Sequence, residues 1–171
     1  MMINYIFNKM LKKINVVLCK FLSNLKYSKA GKFYLVQGLL TRGKGQISIG
    51  RGVEIGCIDS PYFYSSYCYL EAREIDSKIK IGNNVKINNN FSCISVVDVL
   101  IEDNVLIGLN VQIVDSNFHD LNVERRGKSN AKINSGAVII GEGSFIGNNV
   151  IILKGSNILP GTVVPAGSVV R

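Results

Sequence analysis

A six-residue period in the C-terminal half constrains this chain more than any other feature. In sixes, residues 140–170 read Ile140-Gly-Glu-Gly-Ser-Phe, Ile146-Gly-Asn-Asn-Val-Ile, Ile152-Leu-Lys-Gly-Ser-Asn, Ile158-Leu-Pro-Gly-Thr-Val, Val164-Pro-Ala-Gly-Ser-Val and Val170. Every lead position is Ile or Val. The position four later is small or β-branched: Ser144, Val150, Ser156, Thr162 and Ser168. The same register recurs at Ile49–Ile55, Ile81–Ile87 and Ile101–Ile113. Such a period describes short strands joined by tight corners, each turn pairing its backbone with the turns above and below. Gly and Asn between the leads supply backbone conformations that other residues adopt at a cost. A β-sandwich would space its strands by roughly 8–12 residues without a fixed phase. The chain is therefore expected to be all-β, a parallel β-solenoid whose hand these residues leave open.

Composition agrees with that reading. Among 171 residues, 17 are Gly and 18 Asn, which favour turns over helix interiors, and the 47% hydrophobic content can fill a core. The period divides the chain into residues 1–46, an N-terminal helix and connecting segment, and 47–171, the repeat domain. Two segments interrupt the repeat. Residues 59–78 hold four of the seven tyrosines, and their rings at 62–69 suit strand-edge packing, the plainer reading, or stacking on sugars. Residues 117–137 form a polar, charged loop with the only histidine, His119; a long loop on a rigid scaffold is a usual place for function.

Ile3, Phe7, Met10, Ile14, Val17, Phe21 and Leu25 recur at helical spacing, with Lys9, Lys12, Lys13, Lys20 and Lys26 mostly between them. The uncharged run Ile14–Cys19 is far shorter than the ~20 residues of a bilayer span, and no secretory cleavage pattern is present. Two readings stand: a helix packed on its own protein or a neighbouring subunit, the plainer one, or a basic amphipathic helix on an anionic membrane through residues 1–28. A net charge of +8 favours an anionic partner, but its basic residues are dispersed and carry no nucleic-acid motif, so none is expected to bind. Cys19, Cys57, Cys68 and Cys93 form no CxxC or Cys/His cluster, which points to free thiols in the cytoplasm and to no metal.

The [Ile/Val]-Gly-x-x-small-x hexads resemble the hexapeptide-repeat acyltransferases, which fold as left-handed parallel β-helices. Ile107-Gly-Leu-Asn-Val-Gln-Ile, Asp115-Ser-Asn-Phe-His119-Asp and Pro165-Ala-Gly-Ser-Val-Val resemble the maltose/galactoside acetyltransferase-like branch. Within it, the likeness is to O-acetyltransferases of capsule and O-antigen polysaccharides. The resemblance covers residues 47–171. It implies an acetyl-CoA-dependent sugar O-acetyltransferase, homotrimeric, with active sites between subunits beneath the loop. His119 would be the general base and the Asn148 amide the oxyanion donor. Phe145 and Ala166 would flank the pantetheine arm, with Lys154 and Arg171 at the CoA phosphates. Relatives usually continue past Ser-Val-Val with Thr-Lys and a tail, where this sequence has Arg171. Ser92 and Asp98 would meet the acceptor; Asp115 and Asp120 would serve at the same site by orienting the imidazole, or act as turn residues. Arg125, Arg126 and Lys128 read as a solvated run or as a grip on an anionic acceptor or a neighbouring subunit.

Two rivals remain beside O-acetylation: N-acetylation of an amino sugar, and a non-catalytic solenoid for binding or assembly. An Asp-flanked loop histidine argues against the latter. A β-helix carbonic anhydrase would need three histidines, and Thr-x-Thr ice-binding ladders are missing from the sequence.

Overall fold

The computed structural model of the protein describes residues 2–128 and 132–171, with residues 2–9 by backbone alone. Residues 129–131 of the expected loop, and the side chains of Ile3, Phe7 and Lys9 on the expected helix face, lie outside the described residues.

A helix, α1 (Met2–Leu22), precedes six turns of coil, each turn made of three strands. The first turn is β1 (Ser28–Lys29), β2 (Tyr34–Leu35) and β3 (Leu39–Gly43). The second is β4 (Gln46–Ile49), β5 (Glu54–Ile55) and β6 (Cys68–Ala72). The third is β7 (Lys78–Ile81), β8 (Lys86–Ile87) and β9 (Ser92–Ser95). The fourth is β10 (Asp98–Ile101), β11 (Leu106–Ile107) and β12 (Gln112–Val114). The fifth is β13 (Val138–Ile140), β14 (Phe145–Ile146) and β15 (Ile151–Ile152). The last is β16 (Asn157–Ile158), β17 (Val163–Val164) and β18 (Val169–Val170). Every third strand stacks in parallel, giving three six-stranded sheets around one core. The architecture is a left-handed parallel β-helix.

The hexad leads become the interior columns of this prism. On the first sheet Ile49, Ile81, Ile101, Ile140 and Ile158 lie in register, and on the second Ile55, Ile87, Ile107, Ile146 and Val164. On the third sheet Leu70, Cys93, Ile113, Ile152 and Val170 align. The small or β-branched residues point inward beside the corners: Val53, Val85, Val105, Val111, Ser144 and Val150 are fully buried. Asn84, Asn90, Asn104, Asn110 and Asn149 take left-handed backbone at the corners. Their carboxamides also ladder between turns, Asn90 to Asn110 at 2.8 Å and Asn110 to Asn149 at 2.9 Å. That second role accounts for asparagine where glycine alone would turn the chain.

Two expectations change. The coil begins before residue 47, because β1–β3 already form a complete turn. Its hexads are not legible since its lead positions hold Lys29, Leu35 and Thr41, aligned with Ile49, Ile55 and Leu70 of the next turn. Gln37 spends its carboxamide on the tyrosine-rich excursion, donating to the Tyr62 carbonyl at 2.8 Å. The helix docks on its own coil, but by a face other than its apolar stripe. Cys19 is buried against β3, whereas Met10, Ile14, Val17 and Phe21 are exposed. Gly38 permits this approach, since a Cβ there would collide with Asn15 Oδ1 and Cys19 Sγ. The docked face is chosen by close fit and hydrogen bonds rather than by apolar content.

The interior columns carry the stability, so truncating the fully buried Ile113 to alanine is expected to cost about 2–5 kcal/mol. The half-exposed Leu106, truncated likewise, is expected to cost under about 1 kcal/mol. Urea unfolding of the two variants checks the contrast.

Candidate active site

The long loop leaves the coil after β12 and returns at β13, along the edge between the third and first sheets. It is pinned at both ends. Ser116 and Ser135 form an antiparallel bridge, Asn117 N–H donates to the Asn134 carbonyl, and Gly136 N–H donates to the Asp115 carbonyl. Lys132 reaches Asp76 at 2.9 Å. Asp115 has no direct part in holding His119. It is fully buried, and its two oxygens accept from Ser95 Oγ and from the N–H groups of Val96, Val97 and Asp98 at 2.7–3.1 Å. The carboxylate thereby closes the corner between β9 and β10 one turn below the loop.

His119 is exposed, and its Nδ1 lies 2.9 Å from the Arg126 carbonyl oxygen. A carbonyl only accepts, so this contact requires the proton on Nδ1 and leaves the Nε2 lone pair available to take another. Asp120 works on the same loop without bonding the imidazole: it accepts from Asn122 N–H at 2.9 Å and Arg125 Nε at 2.7 Å. These two donors hold its carboxyl below the usual carboxylate range. Arg125 thus braces the loop, while Arg126 supplies its backbone oxygen to the histidine and a guanidinium bond to the Leu121 carbonyl.

The residue before the histidine is held from outside the loop. Phe118 has φ of 59°, an uncommon backbone state for an aromatic residue, and its ring lies 4.4 Å from the Arg73 guanidinium. Arg73 is in turn fixed by Glu71, Nε to Oε1 at 2.8 Å, and Glu71 accepts from Tyr69 OH at 2.9 Å. Burial alone would raise the Glu71 carboxyl, but the bonds from Arg73 and Tyr69 hold it below its ordinary value. Burial and Glu71 push the Tyr69 phenol up to about 12. Tyr69 belongs to the tyrosine group marked in the sequence, but neither Glu71 nor Arg73 stands out there, because only the sheet register carries them beside the loop.

The same tyrosine lines a cleft of about 560 Å³ on the outer face of the third sheet, together with Tyr67, Ser92, Asn90, Asn110 and Gln112. Its hydroxyls, carboxamides and aromatic faces are the groups that bind a neutral polyol. Ser92 therefore sits in a cleft reached from the His119 loop through Arg73, Glu71 and Tyr69. Asp98 lies one sheet away, lining a smaller depression on the first sheet with Lys78 and Lys80.

A second group of expected residues meets on the second sheet. Phe145 and Leu106 are neighbours in register there and, with Asn148, line a groove of about 400 Å³. At several corners, an N–H is capped by a side-chain oxygen of the following turn: Cys57 by Asn89 at 2.9 Å, Leu109 by Asn148 at 2.8 Å. The residue one turn beyond Asn148 is Ala166, which has no such oxygen, and Asn148 N–H has no acceptor among the described residues. An uncapped amide above an apolar groove is a ready hydrogen-bond donor to a developing oxyanion. Lys154 and Arg171 lie on successive turns at the third–first edge, the edge that carries the histidine loop.

The His119 loop and Asn148 consequently belong to different edges of the prism, the loop between the third and first sheets and Asn148 between the second and third. Cys68 and Cys93 are buried, and burial pushes both thiols up, Cys68 to about 12. Neither is a nucleophile. Among the described residues no group of three or more His, Cys, Asp or Glu is placed to hold a metal.

A Saccharomyces cerevisiae protein provisionally named an acetyltransferase is 38% identical over 115 residues, covering 66% of this chain and 52% of that protein. Galactoside O-acetyltransferase of Escherichia coli (strain K12) is 36% identical over 94 residues, covering 55% of this chain and 45% of that protein. The chain thus spans about half the length of the curated relatives it matches. No family profile and no solved structure matches it. The chain is similar to proteins named acetyltransferases, and the likeness supports acetyl transfer in general.

Because the Asp120 carboxyl is depressed in the fold, its contribution is complete above the ordinary value of 3.8 and is lost as pH falls through the lower folded value. Carboxyl NMR titration is expected to give a midpoint below 3.8, with the Asn122 amide moving in step. A midpoint at or above that value would contradict the bracing role.

Proposed function

We propose that the protein transfers acetyl from acetyl-CoA to a sugar hydroxyl of a bacterial surface polysaccharide or its precursor, with His119 as general base. The observation that carries the reading is the His119 Nδ1 contact with the Arg126 carbonyl, which presents Nε2 as a proton acceptor on an exposed loop. A sugar hydroxyl is a poor nucleophile at neutral pH, and an imidazole can remove its proton as the C–O bond forms. The hydroxyl oxygen attacks the thioester carbonyl carbon, and Nε2 takes the hydroxyl proton. The carbonyl oxygen becomes an oxyanion facing Asn148 N–H. Collapse of the tetrahedral intermediate breaks the C–S bond, and the imidazolium returns the proton to sulfur, releasing CoA and an acetyl ester.

The pantetheine arm in this reading lies along the Phe145–Leu106 groove and past Ala166, with Lys154 and Arg171 at the phosphates. Since one chain carries the base and the amide on separate edges, the complete site forms between subunits, as in a homotrimer. Ser92 and its tyrosine-lined cleft offer the acceptor surface, with Asp98 as a further acceptor contact. The reading places the protein in the cytoplasm, where acetyl-CoA is supplied, with a lipid-linked precursor met at the inner membrane face. N-acetylation of an amino sugar uses the same base and amide.

Acetyl-CoA-dependent thiol release with a panel of bacterial glycans, measured over the background of the protein's own four cysteines, tests the reading. Release that requires a glycan and falls by on the order of a hundredfold or more in His119→Ala is expected. Release that ignores the substitution removes His119 as base, and failure to bind CoA favours a non-catalytic solenoid.

A further inference from the structure

We infer that α1 is a surface-binding helix that holds the protein on an anionic phospholipid membrane. The helix cannot turn its apolar stripe toward its own coil, because the other side is locked. Cys19 is buried, and Gly38 admits the helix at a distance that leaves no room for a Cβ. Just past the helix end, Thr41 N–H donates to Ser23 Oγ at 2.9 Å, Thr41 Oγ1 donates to the Leu25 carbonyl at 2.6 Å, and Asn24 N–H donates to the Thr41 carbonyl. At about 100° per residue, Val17 and Phe21 lie about 160° around the helix from Cys19. They stand out from the body, Val17 58% and Phe21 85% exposed, with Met10, Ile14 and Leu18 beside them.

Charge selects the occupant. Residues 1–53 hold ten Lys and Arg and no Asp or Glu, whereas residues 54–171 hold ten and twelve. The entire positive excess therefore belongs to α1 and the first turns of the coil. Lys13 and Lys20 are exposed on the helix, and Lys26, Lys29 and Lys32 are exposed on the segment that follows. A second copy meeting this face symmetrically would press like charge on like charge. An anionic bilayer takes both parts at once, the apolar side chains below the headgroups and the lysines among the phosphates. No helix among the described residues is long and apolar enough to cross the membrane, so the contact is interfacial. The inference stands independently of acetyl transfer.

Co-sedimentation of the full chain with vesicles tests it. Binding is expected to phosphatidylcholine vesicles containing about a third phosphatidylglycerol, with little to phosphatidylcholine alone, and it should weaken as salt is raised. Val17→Glu and Phe21→Glu alter exposed positions and should keep the wild-type melting curve while lowering binding by at least ~tenfold. The chain has no tryptophan, so a Phe21→Trp variant gives one reporter whose emission should shift to the blue on anionic vesicles. No binding to anionic vesicles, or binding unchanged in the two glutamate variants, overturns the inference. Variants that instead dissociate an oligomer on size exclusion assign the stripe to a second copy and overturn it equally.

Discussion

Each turn of the coil leaves its backbone groups and its inward aliphatic side chains to be satisfied by the next turn, and everything else follows from that dependence. The ladder of Ile49, Ile81, Ile101, Ile140 and Ile158 illustrates it: each of these residues stands in register with its counterpart in the neighbouring turn. Stacking fixes the register along all three sheets, and the register in turn fixes which outward residues become neighbours. Tyr69, Ser92 and Gln112 line one cleft because β6, β9 and β12 stack, though they stand twenty or more residues apart in the chain. A frame this regular also sets apart what departs from it, namely a loop, a helix and an excursion, each tied to the coil by specific polar bonds.

The histidine loop shows how a rigid coil can place a mobile kind of chemistry. The loop has no repeat of its own, yet its histidine segment is set by contacts from within the loop and from one turn of the coil. The Arg126 carbonyl chooses the protonated nitrogen, Arg73 covers the ring of Phe118, and Asp120 gathers Asn122 and Arg125. On the far edge the arrangement is simpler: an alanine stands where a carboxamide would otherwise cap the Asn148 N–H. One substitution in a repeat position thus frees a donor that the regular pattern would consume.

The coil was legible from Ile49 onward because the six-residue phase and the packing it requires are the same fact. Handedness came from resemblance, not from the period. The first turn was hidden, since Lys29 and Thr41 stand at lead positions where later turns carry aliphatic residues, and Thr41 is held there by bonding the Leu25 carbonyl past the helix end. Helical spacing correctly marked an apolar stripe at Met10, Ile14, Val17 and Phe21 but carried no information about what it faces; Gly38, a residue without a side chain, decided the docked side. The histidine was visible as a singular residue in a singular loop. Its surroundings were not, because Asp115 and Asp120 neighbour it in sequence, while the Arg126 carbonyl meets its ring and Arg73 covers the adjacent Phe118.

In the proposed function, a working site needs the His119 edge of one copy and the Asn148 edge of another. Ala166→Asp would place an acceptor beside the Asn148 N–H and silence that half, while His119→Ala silences the other. Co-expression of the two variant chains, followed by isolation of mixed oligomers and assay of acetyl transfer, measures the claim directly. Recovery of activity absent from either variant alone is the predicted result, one intact site in each mixed trimer. Mixed oligomers as inactive as the parents would mean that the site lies within a single chain.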